Sequence, residues 1–377
     1  MSDPHQTWSP ADPTRPLDVF GPDEPPRAPV TRRAALLTFG MLGSALLLLA
    51  TLLLPVPYAV NGPGPTLDTL GEYDGEPLIS ITGAETYDST GELRLTTVST
   101  TGGPGFPSSA VGVLSGWLSS STQVLPAEFV FPQGATQEQI DEQNQAQMTS
   151  SQENATVAAL EELGYDVPTT MTIAGTVEGS GAQDLLIEGD VLRSVDGQAL
   201  DSYAQLIDLL AATDPGTTLT LGIERDGQPQ DVPVVTGAKD GGGSQLGVYI
   251  DPEFDLPVEV TIQIERIGGS SAGTMFALGI IDRLTPEDEA NGERIAGTGT
   301  MDLNGDVGPI GGIRQKMAGA VRDGATWFLA PADNCDEVVG HVPDGLRVVR
   351  IDTLHGAREA VEAIGAGQAD DLPTCTG

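Results

Sequence analysis

At 377 residues the chain is long enough for two or three domains and an ample core. Its formal net charge of −37 and pI near 4.1 argue against nucleic acid and anionic membrane surfaces as partners. Three histidines and two cysteines, with no cluster at ligand spacing, give no reason to expect a metal centre or another cofactor.

Residues 1–33 hold eight prolines and few large apolar side chains, so they are expected to form a disordered tail. Residues 34–54 carry no charge, are rich in Leu and Ala, follow Arg32-Arg33 and end at Pro55. That length spans a bilayer as one helix. Arginines 15, 27, 32 and 33 all precede it and the next basic residue is Arg94, which puts the tail in the cytoplasm and the bulk outside. A cleaved signal peptide is the rival reading, but no small-residue cleavage pattern precedes Tyr58. The tail holds five acids and four arginines, leaving −36 for the rest.

Beyond the span, residues 61–76 read as a stalk, and 77–82 and 92–99 as strands. Residues 100–147 are undecided between a groove lining and plain loop, apart from a short helix over 111–118. Ser150 and Glu153 match a capping box for a helix that stops at Gly164. A compact unit follows over about 167–236: a strand, the run Gly189-Asp190-Val191-Leu192…Val195-Asp196-Gly197, an amphipathic helix (Tyr203, Leu206, Ile207, Leu210) and a hairpin at Asp226-Gly227. Gly241-Gly242-Gly243-Ser244 reads as a flexible exit. Val258, Val260, Ile262 and Ile264 alternate as in a strand, and 272–281 is helix-compatible. Strands over 326–330 and 346–351 and helices over 336–340 and 353–364 close the chain.

Two stretches carry chemistry. In Gly269-Ser270-Ser271-Ala272-Gly273 a glycine-bracketed serine sits between strand and helix, where free backbone N–H groups can receive an oxyanion. The plainer reading is a small-residue turn. In Pro309-Ile310-Gly311-Gly312-Ile313-Arg314-Gln315-Lys316 a lysine opens a helix, although Lys239 is the chain's only other lysine. A buried lysine can be driven neutral and act as a base, whereas arginine stays charged. A solvent-facing helix lysine is the alternative.

The serine stretch resembles the serine motif of Lon-type proteases, and residues 308–316 resemble their lysine motif. Residues 296–305, with Thr298, resemble the connecting strand and turn. The resemblance implies Ser271 as nucleophile and Lys316 as general base, with Thr298, Gly269 and Ala272 in support. The family's usual Asp-Gly-Pro before the serine is Gly268-Gly269-Ser270 here, and Thr300 replaces the acidic residue after Thr298-Gly299. Residues 167–236 resemble a PDZ domain of envelope proteases, which implies peptide binding by strand addition, with a carboxylate-binding loop expected near 168–171. Most of 34–365 resembles membrane-anchored Lon-like proteases of the YlbL type.

The implied fold is α+β: a tail (1–33), a transmembrane helix (34–54), the N-terminal part of a Lon-like domain (60–165), an inserted PDZ domain (166–238), the catalytic part (245–366) and a tail (367–377). The expected function is an ATP-independent serine endopeptidase on the extracytoplasmic side, since neither lysine lies in a Walker A motif. Its partners would be peptides or unfolded proteins and, through one helix, the lipid bilayer; Lon domains assemble as rings, so a homo-oligomer stays open. Two rival functions are an inactive PDZ adaptor and an α/β-hydrolase pairing the G-x-S-x-G serine with His341 or His355. Export favours a disulfide between Cys335 and Cys375, but their spacing leaves it open.

Overall fold

The computed structural model describes residues 31–239, 242–264 and 267–376. All but the last three residues of the expected tail therefore lie outside the described residues. Internal contacts divide the chain into residues 1–53 and 54–377.

In the first unit, helix α1 (Arg32–Leu53) contains an 18-residue window of mean hydropathy 2.2 and has no buried residue. Its 22 residues reach about 33 Å, enough for a hydrocarbon core.

The second unit contains two main sheets. The larger draws on strands from both ends of the chain: β2 (Tyr58–Asp68), β4 (Glu92–Thr101) and β6 (Gln123–Pro126) precede the smaller sheet, whereas β13 (Arg294–Gly297), β16 (Trp327–Pro331) and β17 (Arg347–Ile351) follow it. Their order is β17-β16-β13-β4-β2-β6, parallel from β17 through β4 and antiparallel beyond. Along β16, Trp327 and Leu329 pack with helices α3 (Gln137–Glu162), α5 (Gly273–Leu284) and α8 (Leu354–Gly365). Phe328 and Ala330 pack with α6 (Ile313–Arg322) and α7 (Cys335–Val338) on the other face. This alternation is what a strand covered by helices on both faces requires. Short strands β1 (Pro55–Val56) with β5 (Ser108–Ser109), β3 (Ile79–Thr82) with β12 (Glu259–Ile262), and β14 (Thr300–Met301) with β15 (Val307–Gly308) form separate pairs.

Residues 61–76 are not a stalk, because 61–68 lie inside β2, between β4 and β6. Glycine and proline there mark a bulged strand under close approach. A Cβ on Gly64 would overlap Thr97 Oγ1, and the register shifts between Pro63 and Thr66. The carbonyls so displaced accept from side chains: Pro65 O from Thr97 Oγ1 at 2.7 Å, and Gly64 O from Arg322 at 2.8 Å.

Ser150 does not cap a helix; it lies inside α3. That helix opens at Thr136, whose hydroxyl accepts from Gln139 N–H while the Gln139 side chain accepts from Thr136 N–H.

The smaller sheet is antiparallel: β7 (Thr169–Thr176), β8 (Val191–Val195), β9 (Thr218–Arg225), β10 (Gln228–Val235) and β11 (Val248–Phe254), in the order β10-β9-β8-β7-β11. With helix α4 (Tyr203–Ala211) it encloses its own core. Strand β11 pairs with β7 along its length, so this unit extends to Phe254, past the expected limit of 238.

Candidate active site

Three side chains from three elements meet at one end of the large sheet. Ser271 precedes α5, a helix buried almost throughout. The turn before it is shaped by two glycines. Gly269 has φ +96°, a conformation that suits glycine, and its N–H donates to Asn144 O on α3 at 2.9 Å. A Cβ on Gly268 would come within 2.6 Å of Asn144 Cβ, so an aspartate at this position would crowd α3. The Ser270 carbonyl accepts from Ser151 Oγ at 3.1 Å. The Ser271 carbonyl accepts from Gly299 N–H at 3.1 Å and from Thr298 Oγ1 at 2.9 Å. Ala272 caps α5 and is buried.

Lys316 stands in the first turn of α6, which starts at Gly312 with φ +72°. Only 2% of the residue is exposed. Its Nζ lies 2.7 Å from Ser271 Oγ and 2.8 Å from Thr298 Oγ1. Among the described residues no carboxylate is bonded to it, and burial lowers its pKa from 10.5 to about 7. The helix N-terminus also disfavours positive charge. Thr298 gives its one hydroxyl hydrogen to Ser271 O, so it can only accept from Nζ. In the neutral amine, that arrangement leaves the lone pair free for the Ser271 hydroxyl.

A cleft of about 420 Å³ opens over these groups, walled by Thr97–Thr100 of β4, Gly268, Gly269 and Gly311, with Asn144 and Met148 of α3. Strand β13 pairs β4 only from Glu92 to Leu95, so beyond Leu95 that edge carries no ladder with β13. Both histidines are elsewhere: His341 is exposed beside Val339 O, and His355 pairs with Glu162.

A second cleft, of about 350 Å³, lies between α4 (Tyr203, Leu206, Ile207) and the residues around the start of β11 (Leu246–Ile250), with Lys239 beside it. The carboxylate-binding loop expected near 168–171 is not at this cleft. Residues 169–171 are in β7, paired with β11, and the residues beside α4 at the cleft include Gly242 and Ser244, from the stretch read from sequence as a flexible exit.

Residues 264–361 match the family described as the Lon protease (S16) C-terminal proteolytic domain, and residues 169–236 match the PDZ domain. The chain carries a Lon-like serine-peptidase domain and a PDZ domain. Lon protease 1 of Bacillus subtilis is 32% identical over 105 residues, covering 27% of this chain and 13% of that protein. Lon protease 1 of Sorangium cellulosum is 37% identical over 119 residues, covering 30% and 14%. The periplasmic pH-dependent serine endoprotease DegQ of Escherichia coli is 36% identical over 70 residues, covering 18% and 15%. The chain thus spans about a seventh of the length of these relatives.

Asn144, Ser151 and Asn154, whose amide donates to Met301 O at 3.0 Å, brace the serine turn and the neighbouring hairpin of the Lon-like domain. None was singled out from sequence. The available signal was a stripe at positions 144, 148, 151 and 155 along an otherwise polar helix.

Proposed function

We propose that the protein is an ATP-independent serine endopeptidase in which Ser271 is the nucleophile and Lys316 the general base. The observation that carries this reading is the buried Lys316 amine, 2.7 Å from Ser271 Oγ with Thr298 as its second partner. Neutral Nζ takes the Oγ proton as Oγ bonds to the peptide carbonyl carbon. The oxyanion forms near the N–H groups at the start of α5. The ammonium then returns its proton to the leaving amine, and water, activated by the same base, releases the acyl group. The unladdered edge of β4 beside the cleft suits an extended peptide. The PDZ domain selects or delivers peptides or unfolded chains through the cleft between α4 and β11. Helix α1 anchors the chain, and the flanking arginines put both domains on the extracytoplasmic side. The bonded Cys335–Cys375 pair suits that compartment.

The test is cleavage of an unfolded protein and a peptide library by the full chain in nanodiscs, with Ser271→Ala and Lys316→Ala alongside. Loss of cleavage in both variants is expected. Cleavage retained by Lys316→Ala would overturn the mechanism, and peptide binding without any cleavage would make the protein an adaptor.

A further inference from the structure

Residues 95–127 contain no charged side chain, in a chain whose net charge is −37. Within this stretch, helix α2 (Ala110–Leu118) turns Val113 and Gly116 inward and leaves Val111, Leu114, Trp117 and Leu118 exposed, Leu118 to 90%. Phe106 and Phe129 are exposed as well, at 67% and 77%. A monomeric soluble protein rarely leaves so many large apolar groups together in water.

Their attachment points coincide. Pro55 pairs with Ser109, the residue that caps α2, and Val56 pairs with Ser108, two residues after Phe106. Pro57 O accepts from Ala127 N–H, two residues before Phe129. The Tyr58 ring meets Trp117 edge to face at 6.2 Å. Every piece of the patch is therefore tied to residues 55–58, and Leu53 ends α1. At no more than about 3.6 Å per residue, the chain cannot carry these ties far from the end of that helix.

We propose that α2, with Phe106 and Phe129, is a membrane-contact surface that enters the headgroup region of the leaflet in which α1 ends. The occupant is zwitterionic lipid. The patch has no positive charge to draw anionic headgroups, and a Trp–Tyr pair beside a stripe of aliphatic side chains suits the bilayer interface. The proposal rests on the reading of α1 as an anchor. Its consequence is that the protease is held close against the bilayer rather than hanging from a free tether.

The full-length chain, with Trp8→Phe, is reconstituted into phosphatidylcholine vesicles with and without brominated acyl chains. Flotation reports anchoring and Trp117 emission reports contact. Buried Trp327 supplies a constant background that a Trp117→Phe control subtracts. The expected result is flotation together with loss of Trp117 emission in brominated vesicles. Leu118→Asp, at a side chain open to solvent, should restore emission while flotation persists. Flotation with Trp117 unquenched overturns the proposal and leaves the anchor standing. Failure to float overturns both. Unquenched Trp117 that is shielded from aqueous acrylamide only at high protein-to-lipid ratio assigns the patch to a second copy of the chain, and also overturns the proposal.

Discussion

Lys316 is a base only when it has lost its proton. With its pKa lowered to about 7, kcat/KM should rise with pH through about 7 and then level off, as a pH–rate profile will show. Lys316→Arg should be inactive at every pH, because guanidinium does not deprotonate. The same shift acts on stability. Between about pH 7 and the ordinary lysine value of 10.5, the unfolded chain binds more protons than the folded one, so stability rises with pH across that window. In Lys316→Met that slope should vanish from denaturant titrations. Thr298→Val removes both the partner of Nζ and the donor to Ser271 O, and should lower kcat by about 10²-fold, at the low end of what a positioned acid–base group contributes. A Thr298→Ser variant, which keeps the hydroxyl, should recover most of the rate.

At the scale of elements, the turn bearing Ser271 is held by α3. Removing the Ser151 hydroxyl leaves the half-buried Ser270 carbonyl without that partner, so Ser151→Ala should cost about 1 kcal/mol of stability and lower kcat more than it raises KM. Assays of both parameters, with a urea titration, check this. The motifs that made Ser271, Thr298 and Lys316 legible in sequence are local, each set by its own glycines. What lay beyond reading was what packs against them. Helix α3 is polar over most of its length, so its periodicity carried too little apolar signal to show that it began before Ser150. The Gly-Pro run in β2 resembled a stalk because its compensating hydrogen bonds come from Thr97 and Arg322, far along the chain. The extent of the smaller sheet was missed for a similar reason, since its strand β11 lies after the glycine run taken to end the domain. Local alternation did predict β12, α2 and the closing strands and helices to within a few residues.

Across the whole molecule, acidic groups set the response to pH and a disulfide ties the end of the chain. Asp282 and Glu289 are buried, and desolvation raises their pKa values to about 6 and about 7; for Glu289, Arg358 opposes the shift. A carboxyl raised on folding binds more protons folded than unfolded, so these groups lower stability as pH climbs from about 4 to about 7. Asp282→Asn should flatten that part of the profile in thermal melts. Cys335 and Cys375 are bonded across a separation of 40 residues. Cys375→Ala should lower stability by about 2–4 kcal/mol, read as a smaller denaturant midpoint.

The sheet that joins β4 to β13 carries a last consequence, for the protein's synthesis. Thr96 Oγ1 donates to Gly297 O across 201 residues of sequence, and the part of the cleft wall that β4 supplies lies before residue 101 while Ser271 and Lys316 lie after 270. In a chain emerging from its N-terminus, β4 can pair with β2, but its other edge has no β13 to meet until the entire PDZ domain has followed it out. Pairings this distant form late and slowly. The cleft therefore cannot be assembled until residues beyond 316 have been made. Until then the chain carries an open strand edge, the kind of surface that invites pairing with other chains.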